Sequence, residues 1–325
     1  MKTLDKLNLW TRIFLASFFK KKLPLFVCWS LTNRCNADCM YCSIPRENAR
    51  EIPLEKVYSL IAEMKTLGTK MISFMGGEPL LRDDLGQILD NCKKNGIATS
   101  IFTNGVLLPE RIGEISSCDK VVISIDGDEE ANDLVRGKGS YQKAMHAVSS
   151  ARKKNIDVLL HCVLTKYNLH CLEFLVKKAK EVGARVRFQP VSHMHARARN
   201  ISSLLPPAGK FKEAIERLVM LKNKGAAIEN SRGSLDYLLS WPSCSIWRKC
   251  VGGKIYCYIS TAGEMYPCSE MQGSISAFNC LEVGVRKAFG NICEESLQDK
   301  CTECFLAAVV DLNLAYNFHR LNFKA

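Results

Sequence analysis

Across residues 26–190, six short β-rich runs alternate with longer helix-like segments, and this alternation restricts the fold more than any other feature of the chain. The runs cover residues 26–31, 70–75, 98–102, 121–126, 158–164 and 185–189. Each is followed by Gly, Asn or Thr and then by a segment of helical pattern, as expected when parallel strands are joined by crossover helices. Residues 54–67 carry Val57, Leu60, Ile61 and Met64 at helical spacing, and Gly68 supplies a stop. Six strands are too few to close an eight-stranded ring, so the expected class is α/β with a partial (β/α)6 barrel.

After Pro190 the pattern changes. Residues 193–199 are basic, Leu204-Leu205-Pro206-Pro207 breaks the chain, and residues 211–222 read as an amphipathic helix. The expected organisation is an N-terminal amphipathic helix (1–23), the barrel (24–200), a linking helix (201–230) and a small cysteine-rich module (231–325). The chain holds 16 Cys among 325 residues, eight of them in that module at positions 244, 250, 257, 268, 280, 293, 301 and 304.

No apolar run is long enough to span a bilayer, and the run at residues 13–19 is closed by Lys20, Lys21 and Lys22. Asp5 and those lysines do not fit a secretory signal, so a cytoplasmic location is expected. In that compartment disulfides are rare, and clustered thiols read as metal ligands. The net charge of +12 favours anionic partners without choosing among small molecules, nucleic acid and membrane.

Cys35, Cys39 and Cys42 follow the first expected strand at the spacing CxxxCxxC. Thiolates are the soft ligands of iron–sulfur clusters, and three of them leave one iron of a [4Fe–4S] cube open to a substrate or cofactor. A structural zinc knuckle is the alternative. The second strand runs into Gly76-Gly77-Glu78-Pro79, the third into Thr103-Asn104-Gly105, and the fourth ends Ser124-Ile125-Asp126-Gly127. Glycines allow backbone to approach a ligand, Glu78 offers an acceptor for a cationic amino group, and Ser124 and Asp126 share one strand face from which both can reach ribose hydroxyls. Strand C-terminal ends are where α/β barrels place ligands.

These four motifs, in this order and covering about residues 24 to 190, resemble the radical S-adenosylmethionine (radical SAM) superfamily. The resemblance implies that Cys35, Cys39 and Cys42 ligate a [4Fe–4S] cluster. It implies further that Tyr41, Gly76, Gly77, Glu78, Pro79, Asn104, Ser124 and Asp126 hold S-adenosylmethionine, whose one-electron cleavage gives a 5′-deoxyadenosyl radical that abstracts a substrate hydrogen.

In the C-terminal module, Cys250-x12-Gly263-x4-Cys268 followed by Cys301-x2-Cys304 resembles the SPASM/twitch extensions of the same superfamily. A twitch-like module with one auxiliary [4Fe–4S] cluster, held by Cys250, Cys268, Cys301 and Cys304, is implied, making two clusters in all. Four protein ligands leave no open iron, which suits electron transfer; a zinc ribbon is the alternative. Cys244, Cys257, Cys280 and Cys293 are surplus, with Cys257 in an alternating strand pattern. Cys28, Cys92, Cys118, Cys162 and Cys171 read as small core residues.

Trp10, Ile13, Phe14 and Phe18 form an apolar stripe beside Lys20, Lys21 and Lys22. Packing across the barrel is the favoured role for this helix, and peripheral docking on an anionic membrane is the alternative. His193, His195, Arg197 and Arg199 either bind an anionic substrate or form a solvated linker. The expected function is that of a radical SAM oxidoreductase or maturase served by an external one-electron donor such as ferredoxin or flavodoxin. Its substrate is a small molecule or a peptide, and Cys35 lies too near the start for a folded peptide-recognition domain to precede it. A non-enzymatic iron–sulfur or zinc protein for electron transfer or nucleic-acid binding is the competing class. The GGEP, TNG and SIDG motifs speak against it, since neither role needs a nucleoside pocket.

Overall fold

The computed structural model of the protein describes residues 3–46, 50–191, 201–241, 250–292, 301 and 304–321. Among them the sheet expected from the alternation is present. It comprises β1 (Phe26–Thr32), β2 (Met71–Gly76), β3 (Ala98–Thr103), β4 (Lys120–Ser124), β5 (Asp157–Leu164) and β6 (Arg185–Pro190). All neighbouring pairs among these six are parallel, in the order β6-β5-β4-β3-β2-β1. Strand β4 stops at Ser124, two residues before the expected end. At Asp126 the backbone N–H donates instead to Asn132 Oδ1 at 2.8 Å, and the carbonyl accepts from Asn168 Nδ2 at 2.7 Å.

The period of two along β1 sorts its side chains onto two cores. Val27, Trp29 and Leu31 face the helices α2 (Leu54–Leu67), α3 (Leu85–Lys94), α6 (Ser140–Lys153) and α7 (Leu172–Glu181), where they join Phe74, Ile101, Ile123, Leu160 and Phe188. Phe26 and Cys28 face the other way, into a second core of Ile13, Tyr256, Tyr258, Val309 and Tyr316. Helix α2 ends where expected, because Gly68 adopts φ 93° and donates its N–H to Lys65 O at 3.1 Å.

The sheet continues beyond β1 into the cysteine-rich region. There β7 (Tyr256–Ile259) pairs parallel with β1, and β8 (Glu264–Tyr266) and β9 (Phe278–Asn279) follow antiparallel. Residues 254–259, read as an alternating strand pattern with Cys257 in packing, contain β7, and all four residues of β7 are buried. Both faces of this strand are covered: Cys257 and Ile259 belong to the first core, Tyr256 and Tyr258 to the second. Helix α1 (Thr3–Phe18) buries Ile13 and Ala16 in the second core beside the last helix, α11 (Ala307–Leu321), and Ser17 Oγ donates to Tyr316 O at 2.6 Å. The covering role expected of α1 is therefore met on one of its faces.

The far edge of the sheet is closed by chain rather than left open. Val186 N–H donates to Ala227 O at 2.9 Å, and Glu229 N–H donates to Val186 O at 2.8 Å. Buried Asn230 completes the ladder with its side chain, accepting from Phe188 N–H at 2.8 Å and donating to Phe188 O at 2.9 Å. Asn230→Ala removes both partners of a buried strand residue and is expected to destabilise the protein by about 1–3 kcal/mol. Urea unfolding followed by circular dichroism measures this as a lower midpoint at unchanged slope.

Candidate active site

The loop leaving β1 carries Cys35, Cys39 and Cys42, all of intermediate burial and none in a disulfide. It is fixed at its root, where Gly77 N–H donates to Thr32 O and Glu78 N–H to Arg34 O, both at 2.8 Å. It is fixed again in the middle, where Met40 N–H donates to Val135 O at 2.9 Å on α5 (Glu129–Arg136), and Cys42 N–H donates to Cys39 O at 3.1 Å. The two glycines of GGEP serve this packing. A Cβ at Gly76 would stand 2.1 Å from Thr32 O, and one at Gly77 would stand 2.2 Å from Arg34 O. The close approach expected at these glycines is thus made by the root of the cysteine loop.

Glu78 has hydrogen-bond partners within the protein. It is completely buried, its Oε1 accepts from Leu80 N–H at 3.1 Å and Thr103 Oγ1 at 2.9 Å, and its Oε2 accepts from Asn104 N–H at 2.8 Å. The carboxylate therefore joins the end of β2 to the end of β3, while Pro79 begins the short helical turn Pro79–Leu81 behind it. Burial pushes the Glu78 carboxyl up from 4.5 to about 7, against the pull of the three hydrogen bonds. Asn104, placed by this latch, donates Nδ2–H to Asn36 Oδ1 at 2.8 Å, and that nitrogen lies 3.9 Å from Cys35 Sγ.

At the end of β4, Asp126 is also completely buried. It accepts from the Tyr41 hydroxyl at 3.0 Å and from Val163 N–H at 2.8 Å, and it pairs with Arg136 Nε at 2.7 Å. The Arg136 guanidinium lies 5.5 Å from the centroid of the Tyr41 ring, and burial holds the Tyr41 hydroxyl protonated. Ser124, the last residue of β4, is half-buried and opposite His161 of β5. Tyr41, Cys39, Asp126 and Arg136 thus form one cluster, and Cys35 and Asn36 of the same loop form a second with Asn104 at the exit of β3.

Burial pushes the Cys35 thiol up to about 11, while for Cys39 the Arg136 charge works against burial. A positively charged iron–sulfur core would offset the burial that raises Cys35 and Cys39, and three soft thiol donors on one loop fit such a group. Arg136 and Asn168 were not legible as site residues. The available signal was indirect: a buried carboxylate at Asp126 requires a cation, and Arg136 is within one short helix of it.

In the second cysteine region, Cys250 and Cys268 are joined by Cys301 and Cys304. Burial raises the Cys268 and Cys304 thiols, and repulsion from the other sulfurs of this set raises them further, so the four lie in one neighbourhood. None is in a disulfide, and Tyr237 Oη accepts from Cys304 N–H at 2.8 Å. Four soft sulfur donors of this kind suit an iron–sulfur cubane. Cys257 and Cys280 are instead buried core residues, with Cys280 Sγ 2.9 Å from Gly263 O. Cys28, Cys92, Cys118, Cys162 and Cys171 are buried as expected. Cys244, Cys293, His193, His195, Arg197 and Arg199 lie outside the described residues.

Residues 29–179 match the Radical SAM superfamily. A PqqA peptide cyclase of Bradyrhizobium diazoefficiens is 29% identical over 259 residues, covering 76% of this chain and 67% of its own length. The mycofactocin maturase MftC of Mycolicibacterium smegmatis is 27% identical over 252 residues, covering 75% of this chain and 64% of its own. The chain thus spans about two thirds of these curated relatives. The crystal structure of Streptococcus suis SuiB bound to S-adenosylmethionine has a similar fold, with TM-score 0.71 at 16% identity over 92% of this chain and 75% of that one.

The buried latch at Glu78 gives a pH signature. Its folded value of about 7 exceeds its ordinary 4.5, so between these values the folded protein holds a proton that the unfolded chain has released. Stability from this group is complete below 4.5 and is lost as pH rises through 7. Glu78→Gln should lower stability throughout, because its amide meets the Asn104 N–H, and should flatten the pH slope across that window. Unfolding midpoints measured at several pH values check this, and an unchanged slope contradicts it.

Proposed function

The chain belongs to the radical SAM superfamily, and from that premise we propose that this enzyme modifies a peptide, using one [4Fe–4S] cluster at Cys35, Cys39 and Cys42 and a second at Cys250, Cys268, Cys301 and Cys304. The superfamily implies the first cluster and S-adenosylmethionine. When bound, they supply reductive cleavage of the sulfonium and a 5′-deoxyadenosyl radical for hydrogen abstraction. The observation that carries the reading is the convergence of the three-cysteine loop, GGEP and Asn104 at the C-terminal ends of β1, β2 and β3.

In this reading the chain's own residues bind, orient and exclude water. Glu78 holds the Asn104 backbone, so that the Asn104 amide faces the cysteine loop beside Asn36. Gly76 and Gly77 let β2 meet the loop root without a side chain between them. Tyr41, fixed by Asp126 and by the Arg136 face, closes the loop between the second and third cysteines. Ser124 offers its hydroxyl to a nucleoside from the adjacent strand end. The four sulfurs of the second set leave no open ligand position, which suits electron transfer to or from an external donor such as ferredoxin or flavodoxin.

A peptide is favoured over a small molecule because one relative is named a PqqA peptide cyclase, and SuiB has also been crystallised with its precursor peptide SuiA. The barrel at residues 24–200, the linking helix at 201–230 and the auxiliary module at 231–325 are taken as its working parts, with the module's sheet joined to the barrel through β1 and β7. Among the described residues no helix is long and apolar enough to cross a membrane.

Anaerobically reconstituted protein is expected to hold about eight iron and eight sulfide, since two cubane clusters contain four of each. Replacing Cys35, Cys39 and Cys42 with Ala should remove about half of that iron and abolish 5′-deoxyadenosine formation. Protein that holds zinc and no iron after anaerobic expression contradicts the reading.

Replacing Cys301 and Cys304 should remove the other half, retain some cofactor cleavage and abolish peptide turnover, because the second site serves the substrate rather than the cofactor. Iron analysis with product chromatography separates the outcomes. Full iron content in this double variant would transfer the ligand role to Cys293 or Cys244.

A further inference from the structure

Helix α1 has one face that packs into the second core and one that is exposed. Ile13, Ala16 and Ser17 pack inward, whereas Trp10, Phe14 and Phe18, spaced four residues apart, stand outward with Leu15 and Phe19 beside them. Their exposures are 56% for Trp10, 51% for Phe14, 61% for Phe18 and 59% for Phe19. Nine large apolar side chains are exposed among the described residues, and five of them fall within residues 10–19. That concentration separates this face from the scattered apolar exposure of an ordinary surface. Phe14 and Phe18 stack at 5.9 Å, and Phe18 meets Phe19 edge-on at 5.1 Å, so the rings form one continuous patch.

The end of the helix sets positive charge beside the patch. Lys20 adopts φ 52°, its N–H donates to Ser17 O at 3.4 Å, and Lys21 N–H donates to Ala16 O at 2.9 Å, which closes the helix with a left-handed residue. Lys21 Nζ then lies 5.9 Å from the centroid of the Phe19 ring. Lys22 turns back into the protein and donates to Ile292 O at 3.0 Å, so two of the three lysines remain for an external partner.

We propose that this face of α1 docks the enzyme on an anionic lipid surface, with the aromatic side chains entering the headgroup boundary and Lys20 and Lys21 facing lipid phosphates. Trp and Phe beside lysine on an amphipathic helix is the composition of an interfacial segment. Charge decides between lipid and a second copy of the chain: a copy would bring the same lysines and another net charge of +12, whereas an anionic bilayer complements both. The covering and docking roles of the helix are therefore compatible, each using a different face.

The test is co-sedimentation of the full chain, with both clusters loaded, on phosphatidylcholine vesicles with and without phosphatidylglycerol. Binding is expected to the anionic vesicles and to fall as salt rises. The F14S/F18S variant, which changes only exposed side chains, should weaken binding by at least about tenfold. The K20Q/K21Q variant should weaken it by about thirtyfold. Circular dichroism and iron content should match wild type in both variants. Equal binding to neutral vesicles, no binding to anionic vesicles at low salt, or F14S/F18S binding at wild-type strength overturns the proposal. A wild-type dimer that F14S/F18S dissolves assigns the face to a second copy and also overturns it.

Discussion

Two backbone hydrogen bonds, from Gly77 N–H to Thr32 O and from Glu78 N–H to Arg34 O, join the exit of β2 to the root of the three-cysteine loop, and the site geometry depends on that junction. Each donor lies in a motif whose glycines have no room for a Cβ. The Glu78 carboxylate then extends the junction to β3 through Thr103 and Asn104. Three strand ends and one loop are thereby held without a side chain from GGEP reaching outward. Buried carboxylates recur as the fastening device, since Asp126 does the same between β4, β5 and the loop through Val163, Arg136 and Tyr41.

The second constraint is the pairing of β1 with β7. Because β1 sits between β2 and β7, the strand that launches the first cysteine loop also anchors the strand between Cys250 and Cys268. The first cysteine loop and the Cys250–Cys268 segment are thus built on one continuous sheet. The second core, which contains Cys28, Tyr256 and Tyr258 and is covered by α1 and α11, fills the face of the sheet away from α2 and α3. Burial of a strand on both faces is characteristic of parallel sheets and explains why β7 lacks an exposed side.

The barrel was legible because its signals are local. Each βα unit carries its own strand, stop and apolar stripe, and Val57, Leu60, Ile61 and Met64 lie inward where helical spacing puts them. Thiol positions were legible for the same reason, as spacing alone brings Cys35, Cys39 and Cys42 together. What spacing does not carry is the direction of a side chain at a strand end. Glu78 and Asp126 read as acceptors for a ligand, and the partners they have within the protein, Leu80, Thr103, Asn104, Val163 and Arg136, are set by tertiary packing that spacing does not carry. The edge cover by Asn230 and the pairing of β7 with β1 join residues 42 and about 230 positions apart, and no local pattern encodes such contacts.

The central proposal is that the two cysteine sets would hold two chemically different clusters, one with three cysteine ligands and so an open iron, the other with four. Electron paramagnetic resonance of the reduced, loaded enzyme with and without S-adenosylmethionine tests it most directly. Two overlapping signals are expected, of which one shifts on addition of S-adenosylmethionine and is absent when Cys35, Cys39 and Cys42 are replaced, while the other is unchanged. A spectrum in which S-adenosylmethionine moves neither signal, or moves the one that survives that replacement, would contradict the account.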